Sequence, residues 1–187
     1  FDGVRFEKVR LAPGNRMPSA NINALYVDPA GDLWIGLEAG QVARLRNGGL
    51  TTFSFGARNA AVLQIAGGRN NGIWAALKNR DRGGLARFLA GRWSFIGDEA
   101  GLPAGAVSSV VVARDGSVWT TTAGWLWVLR PEAQRFERTV EPAAARARIF
   151  EARDGRIWLS PGGSRPLHAI AGPLQPARLK SAPPSGV

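Results

Sequence analysis

The sequence predicts an all-β fold, a β-propeller segment of about four four-stranded antiparallel blades, and three observations predict it. Trp34, Trp74, Trp119 and Trp158 recur roughly every 40 residues, the length of one blade. Each follows a turn and one apolar residue: Gly31-Asp32-Leu33-Trp34, Asn71-Gly72-Ile73-Trp74, Asp115-Gly116-Ser117-Val118-Trp119 and Asp154-Gly155-Arg156-Ile157-Trp158. Short apolar runs surround each tryptophan, and no long helical period competes with them. Such a period decides the fold before any single motif does. One supersecondary unit cannot bury its faces alone and must stack on its neighbours.

The elements follow in order. With Trp34 set on Trp119, residues Ile22, Leu25, Tyr26, Val27, Gly31 and Leu33 fall on Val107, Val110, Val111, Val112, Gly116 and Val118. With Trp34 set on Trp158, Leu25, Tyr26, Gly31 and Leu33 fall on Ile149, Phe150, Gly155 and Ile157. In the looser second copy Val62 and Ile65 match Ile22 and Leu25, while Gly67-Gly68 ends the run and reads as turn or strand-edge glycine. The innermost strands are expected at Ile22 to Val27, Val62 to Ala66, Val107 to Val112 and Arg148 to Ala152. Asn71-Gly72, Asp115-Gly116 and Asp154-Gly155 read as two-residue hairpin turns, which need φ > 0 at both central positions. The second strands carry the tryptophans.

Third strands are expected at Val42 to Leu45, Leu85 to Phe88, Trp125 to Leu129 and Leu167 to Ile170. Fourth strands hold Phe53 and Phe55, Trp93 and Phe95, then Phe136, then more weakly Leu174 to Leu179. Glu132 to Arg138 and Pro142 to Arg148 fit a helical turn, which alanine and glutamate favour, and fit loops equally well. The units are 1–11, the last strand of a preceding blade; 12–55, 56–97, 98–140 and 141–181, four blades; and 182–187, the opening of a further blade. An arc of this kind leaves its end blades uncovered, so self-association or additional blades are expected.

Composition narrows the function. The chain has 187 residues and is 45% hydrophobic, enough to bury a core. It has no cysteine, which excludes disulfides, thiolate metal sites and a cysteine nucleophile. Lys+Arg is 24 against Asp+Glu 14, a net charge of +10 that favours acidic partners. Nucleic acid would want these cations gathered on one face, but Arg44 and Arg46, Arg80 and Arg82, and Arg146 and Arg148 are spread along the repeats. They are expected to face solvent, and nucleic acid is not an expected partner.

The inventory argues against catalysis. His168 is the single histidine. A metal site needs several converging ligands, and none is marked. Asp28, Asp32, Asp115 and Asp154 sit at or beside turns, where aspartate favours the turn itself. A glycosidase needs two facing carboxylates, and nothing marks a pair. No glycine-rich phosphate loop precedes a helix. The segment is therefore read as non-catalytic, without cofactor or metal.

One stretch resembles a known repeat. Met17-Pro18-Ser19-Ala20-Asn21-Ile22, Leu25-Tyr26-Val27-Asp28, Gly31-Asp32-Leu33-Trp34-Ile35-Gly36 and Val42-Ala43-Arg44-Leu45 together resemble one full repeat of the two-component regulator propeller family. Gly101-Leu102-Pro103-Ala104-Gly105-Ala106-Val107 and Gly116-Ser117-Val118-Trp119-Thr120-Thr121 resemble it again. Copies two and four depart, with Ala60-Ala61 and Ala145-Arg146 replacing the proline-containing start. The resemblance implies the periplasmic sensor propeller of a bacterial membrane-anchored protein, responding to a ligand that is often a carbohydrate. It also implies an output domain elsewhere in the parent, a histidine kinase or diguanylate cyclase. Membrane contact would come only through such other parts.

Candidate residues divide into two sets. Trp34, Trp74, Trp119 and Trp158 are read as structural, one large aromatic per blade packing on the next. Trp125 and Trp127 occur once and share one face of their strand, so one of them is a candidate for meeting a ligand. The loops that lead into inner strands and leave second strands gather at one end of a propeller. Here they hold Arg16 and Asn21, Arg58 and Asn59, Lys78, Asn79 and Arg80, and Trp125. Arginine forks match carboxylates and sulfates, and an indole face suits a sugar ring or a cation. An anionic or neutral oligosaccharide is the expected ligand, with binding transmitted through dimerisation. A protein-interaction scaffold and a carbohydrate-active propeller enzyme remain as alternatives.

Overall fold

The computed structural model describes residues 11–55, 60–68, 72–78 and 84–171. It is a β-propeller arc. The first blade is β1 (Ile22–Val27), β2 (Leu33–Leu37), β3 (Gln41–Arg46) and β4 (Gly49–Ser54). The second is β5 (Val62–Gly68), β6 (Gly72–Leu77), β7 (Leu85–Leu89) and β8 (Arg92–Ile96). The third is β9 (Val110–Val112), β10 (Val118–Thr122), β11 (Trp125–Leu129) and β12 (Glu137–Pro142). The fourth shows β13 (Arg148–Glu151), β14 (Ile157–Ser160) and β15 (His168–Ala171). Every pairing is antiparallel, and each blade is ordered as its sequence runs. The strands β1, β5, β9 and β13 neighbour one another in turn, which sets them around the axis with later strands outside.

One expectation narrows, one changes and one falls outside the described residues. Among the described residues the one helical turn is the 3-10 turn Asp98–Ala100, so Glu132 to Arg138 and Pro142 to Arg148 are loop and strand. Phe136 is not in a strand; it precedes β12 as a buried loop residue that fills the contact between blades two and three. The run Leu174 to Leu179 lies outside the described residues.

The turns before Trp34, Trp119 and Trp158 are longer than two residues, while Asn71 of the expected Asn71-Gly72 turn lies outside the described residues. Gly31 N donates to Asp28 O at 2.9 Å and Asp28 N to Asp32 O at 3.0 Å; Ala113 with Gly116 and Ser117, and Ala152 with Gly155 and Arg156, repeat the pattern. Only the glycine of each turn has positive φ, at 86°, 88° and 81° for Gly31, Gly116 and Gly155. This is a type I turn closed by a left-handed glycine. The aspartates favour it, because Asp28 Oδ1, Asp115 Oδ1 and Asp154 Oδ1 each accept a backbone N–H within the turn or just beyond it. True two-residue turns lie elsewhere, at Asn47-Gly48, Ala90-Gly91 and Ala123-Gly124, where both residues have positive φ.

Successive blades bury three apolar layers. Trp34 and Val42 of the first blade meet Val62, Ile65, Ile73 and Leu77 of the second. Trp74, Ala76 and Leu85 meet Leu102, Val107, Val110 and Val118 of the third. Trp119, Leu126 and Val128 meet Ile149, Ile157 and Leu159 of the fourth. Gly67 lies inside β5, and Gly68 is its last residue, paired with Gly72 across the turn. A Cβ on Gly67 would stand 3.0 Å from the Tyr26 ring, and one on Gly68 would stand 2.8 Å from Val112. Their bare backbone lets the inner strands on both sides close in, and Tyr26 Oη donates to Gly67 O at 2.9 Å.

Arg44 and Arg46 do not simply face water. Arg46 grips the buried Asp32 carboxylate through Nε and Nη2, at 2.8 and 2.7 Å, and the Arg44 guanidinium lies 5.5 Å from the Trp34 ring centre. Asp32 thus closes the turn through its backbone carbonyl and is ion-paired through its carboxylate. Hydrogen bonding from Arg46 holds its carboxyl below the usual carboxylate range, against the opposing effect of burial. The stability this confers is present above the unfolded carboxylate range and is lost as pH falls through the lowered folded value.

Candidate functional site

Antiparallel blades put the loops before β1, β5, β9 and β13 at the same end as the loops after β2, β6, β10 and β14. Asn21 lies exposed at this end, whereas the exposed Arg16 follows Asn15, whose Oδ1 accepts from Leu50 N beside the β3–β4 turn at the opposite end of the blade. Asn21 is used locally: its N–H donates to Ser19 Oγ at 3.0 Å and its carbonyl accepts from Glu38 N. Lys78 is exposed after β6, while Arg58, Asn59, Asn79 and Arg80 lie outside the described residues. Trp125 opens β11 at the same end, half-buried, with the Arg138 guanidinium 4.6 Å from its ring centre. Its neighbour Trp127 packs on the layer between blades two and three, and its Nε1 donates to Thr122 O at 3.1 Å. Of the two indoles, Trp125 is the one at the rim, and one of its faces is already taken by a cation.

The structure adds a feature that sequence reasoning missed. Three loops of this end enclose a pocket of about 260 Å³ between blades three and four. Gly124 comes from the β10–β11 turn, Pro142 to Ala144 from the link into β13, and Pro161, Gly162 and Arg165 from the loop after β14. Backbone bonds hold the three together. Ala143 N donates to Gly124 O and Ala144 N to Pro161 O, both at 2.8 Å. The wall is apolar, of proline, alanine and glycine, and Arg165 is its charged group. No periodic signal marks Arg165, because it sits in an irregular loop that aligns with nothing in the other repeats.

Beside the pocket, His168 Nε2 lies 3.1 Å from Glu141 Oε2 and Nδ1 lies 3.1 Å from Pro166 O. Both ring nitrogens face acceptors, so both donate only as the imidazolium. The Pro166 carbonyl, then Glu141, raises the histidine above its ordinary 6.5. Sequence left His168 without a role; here it ties β15 to β12.

Charge is divided between the two ends. At the end carrying the turns before the tryptophans, arginines are paired with acids: Arg46 with Asp32, Arg114 with Glu151, Arg156 with Asp154. At the pocket end, Lys78, Arg146 and Arg165 are exposed and enter no ion pair among the described residues. Glu38, exposed after β2, and Glu141, at the end of β12, lie at the same end, so these acids offset only part of its positive charge. The described residues hold no group of three or more acids and histidines able to bind a metal.

Residues 16–39 match the family model described as Two component regulator propeller. The chain carries a two-component regulator propeller repeat. No curated protein matches the chain by sequence. Among solved structures, this propeller is similar to extracellular domains assigned to two B. thetaiotaomicron signalling proteins. For the one component system BT4673 the identity is 14% and the TM-score 0.59, over 79% of this chain and 21% of that one. For the hybrid two component system BT3049 the values are 17% and 0.62, over 85% and 24%. The chain thus spans only about a fifth to a quarter of those domains. Virginiamycin B lyase from Staphylococcus aureus matches at 13% identity and a TM-score of 0.62, over 85% of this chain and 59% of that one. At such identities the likeness is one of fold. No helix among the described residues is long and apolar enough to cross a membrane.

Proposed function

We propose that the chain is a non-catalytic, ligand-sensing propeller segment of a bacterial signalling protein, working in the periplasm and taking an anionic oligosaccharide at its basic rim. The observation that carries this reading is the pocket between blades three and four, where the exposed Arg165 stands over an apolar wall without an acidic partner among the described residues. Ligand sites are commonly concave and apolar with a few placed polar groups, and a guanidinium grips a carboxylate or sulfate at two points. The repeat match and the likeness to extracellular domains of signalling proteins support the sensor role. Dimerisation, and a kinase or diguanylate cyclase output, belong to the same proposal.

The test is isothermal calorimetry with oligogalacturonate as an anionic probe and cello-oligosaccharide as a neutral one. Oligogalacturonate should bind, with Arg165→Ala weakening it about tenfold or more, as expected for a lost charge-assisted contact. Arg165→Lys should recover part of that affinity. Equal affinity of wild type and Arg165→Ala for the anionic probe would remove the pocket from the proposal.

A further inference from the structure

Two walls of the rim pocket are joined a second time outside it. Glu141 immediately precedes Pro142, which opens one wall, and His168 follows Arg165, on another, by three residues. His168 Nε2 lies 3.1 Å from Glu141 Oε2, so the imidazole bridges the end of β12 and the start of β15. Its Nδ1 faces Pro166 O at 3.1 Å, in the loop that carries Arg165. The ring thus fastens its own loop with one nitrogen and the opposite wall with the other. Only the imidazolium donates from both nitrogens, and a neutral ring gives up one of the two bonds. The remaining ties across the pocket, Ala143 N to Gly124 O and Ala144 N to Pro161 O, are backbone bonds that do not titrate. The two walls also touch: a Cβ on Gly162 would stand 3.2 Å from the Ala144 Cβ, so a shift of the 161–167 loop is felt by the 142–147 link.

We propose that the His168–Glu141 clasp is a pH-sensitive latch on the rim pocket: as imidazolium it holds the Arg165 loop against the 142–144 link, and loss of its proton releases the loop and weakens anion binding. The latch rests on the reading of that pocket as a ligand site. Among the described residues Glu141 is the one charged group within ion-pair distance of the ring. Leu159, which pairs with His168 from β14, is apolar, and the adjoining loops add the cations Arg146 and Arg165. The chain holds one histidine and no cysteine, so no other side chain with an ordinary pKa changes charge between about pH 5 and 8. The Pro166 carbonyl, then Glu141, raises the histidine above 6.5. The latch is therefore fully closed below that value and opens as pH rises through the raised one.

Two measurements on the 187-residue chain test the latch, and the first needs no ligand. An NMR titration of the single histidine gives its midpoint, and the Ala143 and Ala144 amides should lose hydrogen-exchange protection above it. Glu141→Gln should move the midpoint down toward 6.5 and carry the loss of protection with it, while His168→Gln should abolish the pH dependence. Both side chains are partly exposed, so circular dichroism should show each variant folded. Protection that stays constant through the histidine titration overturns the latch, whatever the pocket binds. The second is calorimetry with oligogalacturonate, whose carboxylates stay ionised from roughly pH 6 to 8.5. Affinity should fall about two- to fivefold across that range, the scale of a partly exposed ion pair, and in Glu141→Gln the fall should come at lower pH. Equal affinity at both ends of the range overturns the latch as a control of binding. No binding at any pH removes the ligand-site reading instead, and the exchange measurement then decides the latch alone.

Discussion

The contact between blades one and two and the contact among blades two, three and four are built from the same repeat, yet they are held by different forces. The first is aromatic. Trp34 meets Phe88 at 5.0 Å and Trp93 at 6.0 Å, Phe53 meets Phe88 at 5.2 Å, and Phe55 meets Trp93 at 5.2 Å. The second adds a polar chain near the axis. Ser109 Oγ donates to Gln64 Oε1 of β5 at 2.7 Å and accepts from Ile149 N of β13 at 2.9 Å, so one hydroxyl links three blades. Ser108 Oγ donates to Ala147 O at 3.0 Å and lies 2.8 Å from Thr121 Oγ1, and Thr120 Oγ1 donates to Ser109 O. Aromatic contact tolerates small shifts and gains from area. A buried hydrogen-bond chain fixes distance and is costly when broken in part. The backbone repeat therefore sets where blades meet, and side chains decide how rigidly.

The largest expected effect is on the aromatic side. Trp34→Ala should cost roughly 3–5 kcal/mol in urea unfolding, as for truncation of a buried large aromatic. Trp158→Ala, at the equivalent position but only half-buried among the described residues, should cost about 1 kcal/mol, in line with partial burial. Equal losses at the two positions would erase the distinction between inner and end blades.

A smaller effect is expected in the polar chain. Ser109→Ala leaves the buried Ile149 N–H without its partner and Gln64 Oε1 with only the Val110 N–H, and should cost about 1–3 kcal/mol. It should also speed amide exchange in β9 and β13 while leaving β2 and β6 unchanged. Uniform acceleration across all four blades would mean that the chain of bonds does not act locally.

The smallest concerns the clasp between β12 and β15. His168 is raised above 6.5 by the Pro166 carbonyl and then by Glu141. A raised histidine contributes fully below the unfolded value, and that contribution is lost as pH rises through the folded one. Both partners are partly exposed, so solvent screens the pair and the effect is modest. The melting temperature of wild type should fall slightly relative to Glu141→Gln as pH rises from 6.5 upward. A constant difference between the two across that range would show that the pair is not titrating.

Much of the fold was legible because it repeats. Aligned apolar positions located β1 and β11 residue for residue, and four tryptophans counted the blades. Turn geometry was less legible. Asp-Gly pairs signal tight hairpins, but the Asp28 carboxylate accepts two N–H groups and stabilises a longer turn. The sequence face that was read as a site held Arg16, Asn21 and Trp125. Asn21 and Trp125 lie at that end, with Trp125 covered by Arg138 and Asn21 engaged in its own turn, while Arg16 lies toward the β3–β4 turn at the other. The pocket was invisible beforehand because it is made where three irregular loops meet, and irregular loops carry no period.

Gly67 and Gly68 have a last consequence. The hollow above Gly67 is filled by Tyr26, and the equivalent of Tyr26 in the second blade is Ala66. If the second blade were copied in tandem, Ala66 would stand where a phenol is needed and leave a void. Each blade thus remembers which neighbour precedes it. Gene duplication supplies interchangeable parts, but substitutions at such hollows lock the parts into one sequence, so this propeller can no longer be shuffled.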